Sequence, residues 1–227
     1  MSIKEKIEER IRRLDFESKT KLIKEKRVEK DPNIKNIVVE STYSDVVISP
    51  SKGTNDIQLL LYGRARKNDN IEIETSIICD GILFIKVKNQ NEEVNSVKLY
   101  VELPEKRCFD NISVKTDFAD INIKEGISAE QISLTSNSGS IKTKADAPKT
   151  KIKSSSGNVN FYADPMSDIE VAIMSSFGDI ETNLKNISTL KLETKTDGML
   201  SNYFKEYPSG YKADVKIASI IGYIKIK

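Results

Sequence analysis

A twelve-residue frame that recurs along the chain limits its fold more than any other feature of the sequence. In the unit starting at Ile112, I-S-V-K-T-D-F-A-D-I-N-I, apolar residues stand first and third and a hydroxyl fifth; a turn follows, and apolar residues return at the tenth and twelfth positions. The same frame fits units starting at Ile37, Ile132, Thr150, Val171, Leu190 and Val215. The third position reads Val39, Val114, Leu134, Ile152, Ile173, Leu192 and Ile217, and the tenth Val46, Ile121, Ile141, Val159, Ile180, Met199 and Ile224. The fifth is a hydroxyl in every unit: Ser41, Thr116, Ser136, Ser154, Ser175, Thr194 and Ser219. Gly139, Gly157, Gly178 and Gly222 occupy the turn at the eighth position, with Ser44, Ala119 and Asp197 in the other units and Gly198 displaced by one.

Alternation of apolar and polar residues is the mark of a half-buried strand. A strand, a turn and a second strand cannot bury an apolar face alone, so successive units must stack. From Ile112 the starts lie 20, 18, 21, 19 and 25 residues apart, a solenoid period. The expected fold class is all-β: a single-stranded, β-helix-like solenoid of about seven rungs, preceded by a short N-terminal helical segment. Equivalent residues would form aliphatic columns and a structural hydroxyl column, and Gly would supply a positive φ at the turns. On this order the Val215 unit is the terminal rung, an uncovered edge that invites pairing with another chain.

The regular repeats occupy residues 112–227 of a domain spanning 31–227. Residues 55–104 lose the frame but keep strands at 57–62, 71–78, 82–87 and 97–103, with Asp80-Gly81 as a type I′ hairpin signal. They read as less regular rungs or a local antiparallel sheet. Residues 1–30 read as a charged amphipathic helical arm: Ser2 and Glu5 fit a capping box, Ile3, Ile7, Ile11 and Leu14 share a face, and Leu22 and Ile23 sit among lysines. Asp31-Pro32-Asn33 ends the arm.

Composition narrows function by exclusion. The chain has no His, so His-based triads and His-ligated zinc are out of reach, and two Cys, Cys79 and Cys108, are too few for a Cys-only zinc site. They read as reduced thiols. Overall 36 Lys and Arg face 34 Asp and Glu, a balance that argues against nucleic acid as partner. The balance is uneven, with 11 basic and 7 acidic residues in 1–30 and 25 and 27 in the remainder. No run has the length and apolarity of a signal peptide or a transmembrane span, so the expected location is cytoplasmic or peripherally membrane-associated, with the cell surface as the alternative. Much of the Ile, 30 residues in all, falls in the aliphatic columns.

The units I-S-L-T-S-N-S-G-S-I-K-T, T-K-I-K-S-S-S-G-N-V-N-F and V-A-I-M-S-S-F-G-D-I-E-T, with V-K-L-Y-V-E-L-P ahead of the regular repeats, resemble the bacterial β-strand-repeat domains known as "putative adhesins". The resemblance covers about residues 34–227 and implies a β-solenoid of unknown biochemical function, with adhesion inferred from architecture.

No catalytic residues, cofactor sites or metal sites are assigned. The turn carboxylates Asp45, Asp120 and Asp179 could offer oxygens to Ca²⁺, but Ser140 and Asn158 interrupt them, and they read as turn residues bonding their own backbone. The expected function is a non-enzymatic scaffold or binding module for protein. The alternative is a surface adhesin for carbohydrate or matrix, and behind it stands a carboxylate-dependent carbohydrate-active enzyme. Candidate interaction residues are Ile3, Ile7, Ile11 and Leu14 of the arm and Tyr203, Phe204, Tyr207 and Tyr211 of the longest insertion. Protein partners or self-association through the N-terminal helix or the terminal rung are expected, with peripheral membrane contact as a further route.

Overall fold

Strict alternation of buried and outward residues carries through the repeat units, and each unit forms two strands joined at a sharp corner. The structure is a computed structural model, and it describes residues 19–78, 81–89 and 96–227. Among the described residues every named element is a strand. The first five are β1 (Thr20–Glu29), β2 (Asn36–Ser41), β3 (Asp45–Ser51), β4 (Ile57–Arg66) and β5 (Ile71–Ile78). There follow β6 (Ile82–Asn89), β7 (Lys98–Pro104), β8 (Cys108–Thr116), β9 (Ile121–Ile123), β10 (Ser128–Ser136) and β11 (Ile141–Thr143). Next come β12 (Lys149–Ser154), β13 (Val159–Ala163), β14 (Ile169–Phe177) and β15 (Ile180–Leu184). The last are β16 (Ile187–Thr196), β17 (Leu200–Asn202), β18 (Tyr211–Ile221) and β19 (Ile224–Ile226).

These strands make two sheets. One has ten strands in the order β1-β4-β7-β3-β9-β11-β13-β15-β19-β17, the other nine in the order β16-β18-β14-β12-β10-β8-β2-β6-β5. Each rung gives one strand to each sheet, so eight rungs follow one another as β6/β7, β2/β3, β8/β9, β10/β11, β12/β13, β14/β15, β18/β19 and β16/β17. Rung neighbours pair in parallel and in register, which aligns Val39, Val114, Leu134, Ile152, Ile173 and Ile217 in one column. All six are at most 2% exposed and form part of a continuous aliphatic core between the sheets. Burying one such side chain contributes about 1.5–3 kcal/mol, so most of the stability resides in these columns.

The architecture refines the sequence-based expectation in one place and corrects it in three. First, β6 and β7 form an additional rung in register with β2 and β3, while β5 and β4 run antiparallel to them. Residues 55–104 thus supply both a regular rung and the antiparallel closure of one end. Second, rung order departs from chain order. The Val215 unit is inserted between β14/β15 and β16/β17, so it is interior and β16/β17 is the terminal rung. A parallel rung presents the same hydrogen-bonding edge to any neighbour, so the frame does not say which rung lies next to which.

Third, the unit placed at Leu190 is off by two residues in its first strand and by one in its second. Thr196, not Thr194, aligns with Ser219, and Leu200, not Met199, aligns with Ile224; Thr194 aligns with Ile217. The stretch L-K-L-E-T-K-T alternates with a hydroxyl at two successive inward positions, so a slip of two preserves the pattern.

Fourth, the residues read as the end of a helical arm form β1, paired antiparallel with β4 from Thr20↔Arg66 to Glu29↔Ile57. The arm residues Ile3, Ile7, Ile11 and Leu14 lie outside the described residues, as does Cys79. Ile23 packs against the core while Leu22 points outward. Glu25 Oε2 accepts the Ile73 N–H at 2.9 Å, which ties β1 to β5 across the end of the two sheets. Dense charge with apolar residues three and four apart satisfies a helix pattern, but an edge strand with one solvated face tolerates the same charges.

Candidate interaction surface

The corner between the two strands of each rung is built from three stacked columns. The first is the hydroxyl column, in which Ser41, Thr116, Ser136, Ser154, Ser175 and Ser219 are all buried. Ser41 Oγ donates to the Ser44 carbonyl at 2.7 Å and accepts the Ser44 N–H at 3.0 Å, closing the turn three residues ahead. Thr116 donates in the same way to Ala119 O, and Ser154 to Gly157 O; Ser136 Oγ accepts the Gly139 N–H. In the terminal rung Thr196 Oγ1 takes this role, accepting the Gly198 N–H at 2.9 Å.

The second column is glycine. A Cβ at Gly157 would lie 2.3 Å from Gly139 O, one at Gly178 2.4 Å from Gly157 O, and one at Gly222 2.2 Å from Gly178 O. Of Gly139, Gly157, Gly178 and Gly222, Gly178 alone has a positive φ. The turn glycines are therefore required by the approach of the next rung's carbonyl, which corrects the expectation that they serve φ.

The third column links rungs through side-chain oxygens. Asp45 Oδ1 accepts the Asp120 N–H, Asp120 Oδ1 the Ser140 N–H, Asn158 Oδ1 the Asp179 N–H, and Asp179 Oδ1 the Tyr223 N–H, at 2.8 to 3.1 Å. The carboxylates expected to bond their own backbone bond the neighbouring rung instead. Asp45 also pairs with Lys98 Nζ at 2.9 Å, and this contact raises the Lys98 pKa above its ordinary value. Among the described residues no three Asp, Glu or Cys side chains converge on one point. Cys108 is free and exposed.

On this scaffold the sixth and seventh frame positions project outward. The seventh reads Tyr43, Phe118, Ser138, Ser156, Phe177 and Ile221 along the stack. Tyr43 and Phe118 stack with ring centroids 5.4 Å apart. Four rung-to-rung steps lead from Phe118 to Ile221, and toward that end Met174, Phe177, Ile220 and Ile221 gather on adjoining strands, each 51–60% exposed. Beside them a groove of about 550 Å³ crosses the nine-stranded sheet, lined by Thr135, Lys153, Met174, Ser176, Lys195 and Ile220 among others. Exposed apolar clusters of this kind, rimmed by polar groups, mark interaction sites on soluble proteins. The surface is apolar, with Lys153, Lys195 and Asp197 as its charged groups and hydroxyls between.

The insertion residues lie apart from this groove. Phe204 packs against the core at the terminal rung, Tyr203 and Tyr207 are exposed, and Tyr211 opens β18. The Tyr207 N–H donates to Ile187 O at 2.9 Å, holding the loop to the start of β16. Lys149, Lys151 and Lys153 form an exposed row on β12, and Lys153 reaches the groove. Met174 and Ile220 were not legible as a site, because β14 and β18 become neighbours through the displaced rung order. The outward aromatic and aliphatic residues at the seventh position were in frame and carried the available signal.

Fold and corner chemistry together define a two-sheet β-solenoid assembled from strand–turn–strand repeats. The chain belongs to the family described as Toastrack DUF4097, whose model matches residues 34–226. Its fold is shared by a "putative cell adhesion protein" from Clostridium sporogenes, 12% identical, over 91% of this chain and 99% of that one with a TM-score of 0.59. A "putative adhesin" from Bacteroides fragilis is 15% identical over 91% of this chain and 97% of that one, with a TM-score of 0.49. No curated protein matches the chain. No helix among the described residues is long and apolar enough to cross a membrane.

Proposed function

We propose that the protein is a non-enzymatic binding module whose ligand is another protein, engaged through the corner surface around Met174, Phe177, Ile220 and Ile221. The observation that carries this reading is the clustering of exposed apolar side chains beside Lys153 and Lys195 on a corner held by the close approach of Gly178 and Gly222 and by the Asp179–Tyr223 bond. A rigid platform of this type loses little entropy on binding. Its apolar centre, flanked by Lys153, Lys195 and Asp197, suits a partner that sets apolar residues next to charged groups of both signs. A photo-crosslinker at Ser176 is expected to capture one discrete partner, and Phe177→Ser with Ile221→Ser is expected to abolish that capture while circular dichroism stays unchanged. Capture that survives both substitutions contradicts the assignment.

Likeness to the "putative cell adhesion protein" of Clostridium sporogenes supports a second reading, a surface adhesin for carbohydrate or matrix. The binding-module reading places the protein in the cytoplasm or peripherally on a membrane, and the adhesin reading places it outside the cell. Fractionation of native cells with antibody detection separates the two.

A further inference from the structure

The two ends of the solenoid are finished differently. At one end the core-facing residues of β4 and β5, Leu59, Leu61 and Ile73, are fully buried, and β1 is laid against β4 and tied to β5. At the other end β16 is the last strand of its sheet, and its core-facing Leu190 and Leu192 are only partly buried. Among the described residues no further strand of the sheet lies along the outer edge of this ten-residue strand; the 203–210 loop reaches its start, where the Tyr207 N–H donates to Ile187 O. We infer that a second copy of this chain docks here, β16 against β16 in antiparallel orientation about a twofold axis at Leu192.

Charge complementarity selects this occupant and this register. On the outward face Lys191 bonds Asp214 of β18 at 3.1 Å, and Glu193 lies 3.6 Å from Lys216 of the same strand. An antiparallel pairing centred on Leu192 sets Lys191 opposite Glu193 of the second copy, twice by symmetry. The face then reads Asp214, Lys191, Glu193, Lys216 across four strands, and the reverse on the other side of the axis, with signs alternating throughout. On the core face Leu192 meets Leu192 and Leu190 meets Thr194, closing the open end of both cores. A register centred on Thr194 would instead set Glu193 against Lys195, leaving that row to end at Ala218, and would put Leu192 against Thr196. Proline and inward-pointing charge, two devices by which edge strands resist pairing, are absent from β16, and its irregularity at Ile187/Thr189 lies at the start of the strand, away from Leu192. Because the twofold axis sets the same edge of each copy against the other, the contact is isologous and stops at two copies instead of propagating into a fibre.

Sedimentation velocity of the full chain across the micromolar range is expected to show a monomer–dimer equilibrium. Leu192→Lys, at a partly exposed position, is expected to weaken the dimer at least about tenfold with unchanged circular dichroism. Antiparallel partners have Cα atoms about 4.5–5.5 Å apart, within disulfide reach. In a Cys79→Ser, Cys108→Ser background, Leu192→Cys is therefore expected to form a covalent dimer on mild oxidation, and Phe118→Cys is not. A monomer at every concentration, a dimer that Leu192→Lys leaves intact, or no cross-link from Leu192→Cys overturns the inference. The corner-binding assignment is read by partner capture, so each proposal fails separately.

Discussion

Gly157 lies where two rungs come closest. Its missing Cβ leaves room for Gly139 O, and the obstructing atom belongs to backbone that a rotamer change cannot move. Gly157→Ala must separate the rungs or tilt the corner, and overpacking of this kind is expected to cost about 1–3 kcal/mol. Gly53, with φ +76° and nothing within 4 Å of a built Cβ, is constrained by conformation alone. Gly53→Asn should therefore be nearly neutral, because Asn tolerates left-handed backbone. Urea denaturation of the two variants checks the difference, and a Gly157→Ala protein as stable as the parent contradicts the close-approach explanation.

Whole elements were legible where a pattern repeated and illegible where it did not. The columns headed by Val39 and Ser41 could be read directly, since parallel in-register stacking brings the same frame position of every rung into one line. β1 could not be read that way, because its charges satisfy both a solvated helix face and an edge strand. Thr194 was misplaced because period-2 alternation is unchanged by a slip of two. β1 offers a direct test of strand against helix. In a strand, Leu22 and Ile23 face opposite ways: Leu22 is 55% exposed and Ile23 packs on the core. Ile23→Asp is expected to destabilise by about 1–3 kcal/mol, and Leu22→Asp by less than about 0.5 kcal/mol, read from denaturant midpoints. Equal effects contradict the seal that β1 makes.

At the scale of the molecule, the order of rungs decides which surfaces exist. Inserting β18/β19 beside β14/β15 brings Ile220 and Ile221 next to Met174 and Phe177 and leaves β16 at the open end. The corner surface and the proposed dimer edge both depend on that insertion, and neither follows from the repeat frame alone. Methyl–methyl NOEs on Ile- and Leu-labelled protein test it most directly. Ile173 and Ile217 are register partners, whereas Leu192 pairs with Val215 one strand beyond. The account predicts a strong Ile173–Ile217 cross-peak and none between Ile173 and Leu192; an Ile173–Leu192 cross-peak with no Ile173–Ile217 contact would restore chain order and contradict it.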